Sequence, residues 1–224
     1  MNRAILKWIG ILTMTIDHIG LYLIEDPNWN LAFRLIGRFA FPIFAFLIAE
    51  GFLKSKHLKH YWIRLFSFTI LVELLFLLYG LSTGEVALFK SNVFIVLLLG
   101  LSLLMVLKSS VEWHHLLAIP ILVFSAIVQY PYTVYGLLLI LIFGFVHKTW
   151  MKAILFVLIH LLLIQIPSVN DSLYLYPWQQ QFALLFIPLM FLYNGNKTKE
   201  NKWFFYWYYP IHMIVIIGLS HLLK

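Results

Sequence analysis

Residues 5–24 read ILKWIGILTMTIDHIGLYLI, a run in which Asp17 and His18 sit side by side among isoleucines and leucines. A helix rises about 1.5 Å per residue, so a run of this length crosses a hydrocarbon core of about 30 Å. Asp17 and His18 then lie roughly 18 Å in from the end at which the run begins. An ionisable group at that depth costs about 2.5–3.5 kcal/mol on insertion scales. The reading of this one segment decides the class of the chain.

The rest of the sequence agrees with a membrane reading. Only 11% of the 224 residues are charged and 62% are hydrophobic, where a soluble domain carries roughly 25% charged residues. Apolar stretches are long and apolar all round, unlike the alternating segments of about ten residues that build a barrel. Nothing reads as a cleaved signal peptide. Cysteine is absent, which excludes disulfides and thiolate chemistry. The spacing predicts an all-α polytopic membrane protein, one integral membrane domain over residues 1–224, with about nine spans: 5–24, 33–53, 61–80, 92–107, 114–129, 133–146, 150–166, 179–193 and 203–222. The fifth and sixth are short and meet at Tyr130–Tyr132.

With nine spans, one side carries Arg3, Lys7, Lys54, Lys56, Lys59, Arg64, Lys108, Lys148, Lys152, Lys197, Lys199 and Lys202. The other side carries Arg34, Arg38, Lys90 and Lys224. By the positive-inside rule the N-terminus is cytoplasmic and the C-terminus outside. The net charge of +7 is thereby used by topology, and nucleic acid is not needed to explain it.

Depth arithmetic places further polar groups near His18. Arg38 lies about one turn below the outer surface, and Arg34, four residues earlier, shares its face. Glu73 is again about 18 Å in from its span's start, and His212 about 13 Å in, just after Pro210. Each has a plain structural reading: snorkelling for the arginines, an Asp17–Arg38 packing pair, an interfacial Glu50–Lys54 ion pair, a packing hydrogen bond for Glu73. His160 and His221 read as structural. Together, however, an Asp-His pair, two arginines, a glutamate and a second histidine at similar depth read as a functional polar site. A histidine there suits general-base work. Asp17 and His18 point about 100° apart on a helix, so Asp17 is expected to hold an arginine or position an amine rather than orient His18. The arginines suit carboxylate or phosphate groups, and the basic stretch GFLKSKHLKHYWIR suits a phosphorylated donor.

Several blocks resemble the TraX family in sequence and order: LKWIGILTMTIDHIGLYL, FRLIGRFAFPIFAFLIAEGFLKSKHLKHYWIRL, NVFIVLLLGL, YGLLLILIFGF and FFYWYYPIHMIVI. The resemblance runs nearly end to end and is most specific in the first two blocks. It implies an integral membrane protein of the bacterial cytoplasmic membrane, similar to transmembrane acyltransferases that move acetyl groups from cytoplasmic acetyl-CoA, with N-terminal acetylation of pilin subunits as the associated reaction. Carried onto this chain, the resemblance makes His18 the catalytic base and Asp17 its companion. It points to Arg34, Arg38, Glu73, Asn92 and His212 for the acceptor or the oxyanion. It points to Glu50, Gly51, Lys54, Tyr61 and Arg64 in the second and third blocks and to Tyr209 and Pro210 near the end. With Lys56 and Lys59 of the basic loop, Glu50, Lys54, Tyr61 and Arg64 are expected to take the donor. Two departures stand out: Glu73 is followed by Leu-Leu-Phe without the family's proline, and Ile95 and Val96 replace a Phe-Thr. The implied partners are the lipid bilayer, acetyl-CoA, a membrane-associated peptide or protein acceptor and a second copy of the chain, with no metal. Direct transfer and an acetyl-histidine intermediate both remain open. So do a lipoprotein or glycan acceptor, and the rival readings of a proton-coupled transporter and a non-enzymatic assembly factor for a pilus or secretion apparatus.

Overall fold

The computed structural model describes residues 1–84, 92–127, 130, 132–162, 177–196 and 202–223. Lys90, Lys197, Lys199 and Lys224, and the expected span ends at Gln129 and Ile166, lie outside the described residues. Among the described residues the regular secondary structure is all helical, without strands, and they group into two compact units: Met1–Phe44 with Tyr176–Lys224, and Ala45–Leu175. Four helical stretches are long and apolar enough to cross a membrane: Arg3–Leu23, Pro27–Lys54, Leu58–Thr83 and Trp203–Leu223.

In the first unit, α1 (Arg3–Leu23) starts where the Asn2 side chain accepts from the Ile5 amide, and α2 (Pro27–Gly37) starts where Asp26 accepts from the amides of Asn28 and Trp29. These caps satisfy donors that a helix start leaves open, and Pro27 at the first helical position gives up none. Between them, Asn30 donates from Nδ2 to the carbonyls of Gly20 and Ile24 at 2.7 and 3.1 Å, closing the end of α1. Helix α1 packs against α2 and against the last described helix, Lys202–Leu223.

The expected span 33–53 is in fact a longer stretch, and it is interrupted. Its helix begins at Pro27, because the Asp-Pro cap starts it six residues early. It turns at Arg38–Phe39 before α3 (Ala40–Lys54) resumes. Pro42 supplies the reason: it has no N–H for the carbonyl of Arg38, and its ring crowds that carbonyl. The same device recurs. A 3-10 stretch, Glu112–Leu117, gives way to α6 (Ala118–Ile127), whose third residue is Pro120. A single helical turn, α9 (Pro177–Gln180), and a 3-10 stretch, Gln181–Leu185, give way to α10 (Phe186–Leu192), whose third residue is Pro188. The final helix, α11 (Lys202–Leu223), carries Pro210 in its interior without a break.

The second unit holds α4 (Leu58–Thr83), α5 (Val93–Leu107), α6, α7 (Thr133–Phe145) and α8 (Thr149–Leu162). Helix α5 is the hub and packs against α4, α6 and α7. Its approach to α7 is close because Gly100 faces Ile140 and Gly144 faces Leu104, where a methyl group would overlap the isoleucine or leucine side chain. Trp62 Nε1 donates to Ser102 Oγ at 2.7 Å and ties α4 to α5. His160, expected to be structural, is fully buried between Tyr135 and the Phe156 carbonyl, bonded to both. Leucines such as Leu74, Leu78, Leu81 and Leu122 remain exposed on the surface, as lipid-facing positions require.

Candidate functional site

Asp17 projects from α1 and gathers both arginines of α2 and the turn that follows. Its Oδ2 accepts from Arg34 Nη1 at 2.9 Å, and its Oδ1 accepts from Arg38 Nη2 at 2.5 Å. Arg38 is 1% exposed and its Nε also donates to the Arg34 carbonyl at 2.9 Å. That carbonyl is one of the acceptors a helix end leaves open, so the break before Pro42 and the placement of Arg38 are one feature. Gly37 makes room: a methyl group there would run into the Asp17 carboxylate. Two guanidiniums against one carboxylate leave a surplus positive charge in a mostly buried place.

His18 meets His212. Its Nδ1 lies 2.8 Å from His212 Nε2 with the two rings stacked, and His212 Nδ1 lies 2.9 Å from the Tyr208 carbonyl. The tautomers follow from the bonds. A carbonyl only accepts, so His212 carries its proton on Nδ1. Nε2 of the neutral ring then accepts from His18 Nδ1–H, which leaves the lone pair of His18 on Nε2. The Tyr208 hydroxyl in turn lies 2.8 Å from Thr15 Oγ1, whose own proton goes to the Ile11 carbonyl at 2.8 Å. The chain of bonds fixes both imidazoles in orientation and supplies His18 with a single basic nitrogen. Depth alone pointed to His18 and His212. Tyr208 and Thr15 were missed, although Tyr208 stands four residues before His212, the spacing at which helical side chains and backbone meet.

Tyr209 and Pro210 stand on α11 beside this site in sequence, and the remaining expected residues belong to the second unit. Lys54 Nζ donates to Glu50 Oε1 at 2.6 Å, the ion pair that spacing predicts. Gly51 faces the Tyr61 hydroxyl, and the Arg64 guanidinium lies 5.6 Å from the Tyr61 ring centre. Lys56 and Lys59 are exposed around the start of α4. Glu73 accepts from Asn92 Nδ2 and from the Tyr130 hydroxyl, each at 2.8 Å, and Asn92 Nδ2 also donates to the Thr69 carbonyl at 3.1 Å. Burial, and then the bond to Glu73, push the Tyr130 hydroxyl well above its ordinary range. Tyr130 was another residue the sequence did not single out, since only its turn position was legible.

A family model described as "TraX protein" matches residues 2–220. The chain is 26% identical over 242 residues to "Probable fimbrial assembly protein FimC, serogroup H1" of Dichelobacter nodosus, covering 98% of this chain and 96% of that one. It is also 42% identical over 50 residues to "Uncharacterized protein RP591" of Rickettsia prowazekii (strain Madrid E), which spans 22% of this chain and 19% of the other. No solved structure matches.

Proposed function

The chain belongs to the TraX family, and we propose that it is a membrane-embedded acetyltransferase that moves an acetyl group from acetyl-CoA to an acceptor amine, such as the N-terminus of a membrane-associated peptide. The reading keeps nine spans with a cytoplasmic N-terminus in the bacterial cytoplasmic membrane, as the lysine and arginine bias favours. The observation that carries it is the His18–His212–Tyr208 chain of hydrogen bonds, which presents one basic imidazole nitrogen beside a doubly bound Asp17.

In direct transfer, the amine nitrogen attacks the thioester carbonyl while His18 Nε2 takes its proton. A C–N bond forms, the C–S bond breaks, and the CoA sulfur leaves and is reprotonated. Through an acetyl-histidine, His18 Nε2 attacks the thioester carbonyl and the C–S bond breaks as CoA leaves. The amine then attacks that carbonyl, the bond to Nε2 breaks, and the freed Nε2 takes the amine proton. His212 holds the His18 ring and shares the charge that develops on it. Arg34 is assigned to the oxyanion or to an acceptor carboxylate, Arg38 to holding Asp17. For the donor, Lys54, Lys56, Lys59 and Arg64 in the second unit fit phosphate groups by charge, and Lys56 and Lys59 are exposed to receive them.

The test is acetyl-CoA turnover by the protein in lipid nanodiscs, with pilin-type N-terminal peptides as acceptors and mass spectrometry as the readout. Acetylated peptide with wild type, and none with His18→Ala, is the expected result. Equal yields, or none from either, overturn the reading. The name of the Dichelobacter relative, a probable fimbrial assembly protein, favours a second reading as a non-enzymatic assembly factor. In that case His18→Ala still supports fimbrial assembly in cells.

A further inference from the structure

Lys152 is the least expected charge in the second unit. It stands in the first turn of α8, where the helix dipole favours anions and opposes cations. It is only 9% exposed. Its ammonium lies 5.3 Å from the Phe46 ring centre, and among the described residues no carboxylate comes within ion-pair distance of it. Glu50 and Lys108 are the charged groups whose fields reach it. Glu50, 7% exposed, already pairs with Lys54 at 2.6 Å. Lys108, at the end of α5, donates to the Gly144 carbonyl at 2.8 Å and lies 5.5 and 5.1 Å from the ring centres of Phe52 and Phe145.

The ends of α3, α5 and α7 and the start of α8 thus set the buried Lys152 within the fields of Glu50, which Lys54 already occupies, and of the exposed Lys108. A buried cation with a shared counter-ion is costly, and lysines at helix C-termini explain Lys54 and Lys108 but not Lys152. We propose that this end of the second unit binds a phosphate group of an anionic ligand, with Lys152 as the buried contact, Lys108 beside it and the start of α8 contributing its dipole. A phosphate there is a hydrogen-bond acceptor for Lys152 and balances the surplus positive charge. The phosphate chemistry is common to a soluble donor such as CoA and to an anionic phospholipid headgroup. The site rests on the donor assignment above only for which of these it serves.

The experiment uses the full-length protein. In neutral detergent, Kd and thermal shift are measured with CoA, 3′-dephospho-CoA and inorganic pyrophosphate. In nanodiscs, thermal shift is compared between phosphatidylcholine and phosphatidylglycerol. Wild type is expected to bind at least one phosphate-bearing probe, with binding weakened about tenfold or more in Lys152→Met and retained in Lys152→Arg. Response to CoA or pyrophosphate identifies a soluble ligand, and response to phosphatidylglycerol alone identifies a headgroup. The proposal is overturned if wild type responds to none of these, or if Lys152→Met binds as wild type does. Should Lys152→Met fail to fold, Lys108→Met decides by the same criterion. Lys152-dependent binding of pyrophosphate or phosphatidylglycerol without acetyl transfer leaves the phosphate site standing and removes the acetyltransferase reading.

Discussion

Nδ1 of His18 lies 2.8 Å from Nε2 of His212, and the two rings are stacked with centres 5.0 Å apart. Since His212 Nδ1–H donates to the Tyr208 carbonyl, the free lone pair of the two rings lies on His18 Nε2, and the acetyltransferase proposal makes that nitrogen the base. The two variants are therefore expected to differ. His18→Ala removes the base and should lower acetyl transfer by about 10²–10⁴. His212→Ala leaves the base without its orienting partner and should lower kcat by roughly tenfold with little change in acetyl-CoA KM. An unchanged rate of acetyl transfer in His212→Ala would refute the pairing as a device.

Asp17 is held by two arginines, so its removal leaves both facing a neutral group. Asp17→Asn is expected to destabilise by about 3–5 kcal/mol, read as a lowered unfolding midpoint in detergent. Arg38→Met alone costs less, because Arg34 still neutralises the carboxylate. The double variant should be milder than the sum of the singles by about 1 kcal/mol or more. Strict additivity would show that the bonds to Asp17 contribute nothing.

Gly37 and Gly218 make a matched pair of tests. A methyl group on Gly37 meets the Asp17 carboxylate, whereas one on Gly218 meets nothing within 4 Å. Gly37→Ala should cost about 1–3 kcal/mol and lower activity with it. Gly218→Ala should be neutral or stabilise by up to about 1 kcal/mol through helix propensity. Equal effects from the two substitutions would contradict the packing described.

Tyr130 donates to Glu73, and burial and that bond together raise the pKa of its hydroxyl. A folded pKa above the unfolded one means that the contribution is fully present below about pH 10, the ordinary tyrosine value, and fades as the pH rises beyond it. Tyr130→Phe should lower stability by about 1–3 kcal/mol at pH 8. The gap to wild type should narrow at pH 11, and shrink at pH 8 in a Glu73→Leu background, where the bond is gone and only burial still acts on the hydroxyl. A gap that widens with pH would reverse the assignment.

What could be read from the sequence was whatever depends on length and spacing. The constant helical rise put His18 and His212 at neighbouring depths, and the structure joins them. Spacing by four gave the Glu50–Lys54 ion pair and placed Arg34 and Arg38 on one face, where both reach Asp17. The breaks were not legible from hydropathy. Pro42, Pro120 and Pro188 each lie inside an apolar run and leave its mean hydropathy high, while each removes an N–H from the turn before it. Thr15, Tyr208 and Tyr130 were missed for another reason. A hydroxyl in an apolar helix is ordinary, and only the partner brought to it by tertiary packing gives it a role.

The bond between His18 and His212 joins positions 194 residues apart, in the first and last of the described helices. At about 5–20 residues per second, a ribosome needs roughly 10–40 s to travel from one to the other. Throughout that interval the nascent chain threads α1 into the bilayer with Asp17 and His18 already inserted, and the two arginines arrive within about a score of residues to neutralise the acid. The imidazole waits much longer. The His18–His212 pair is thus completed only when α11 is made, and a chain stalled before α11 carries His18 without the partner that orients it.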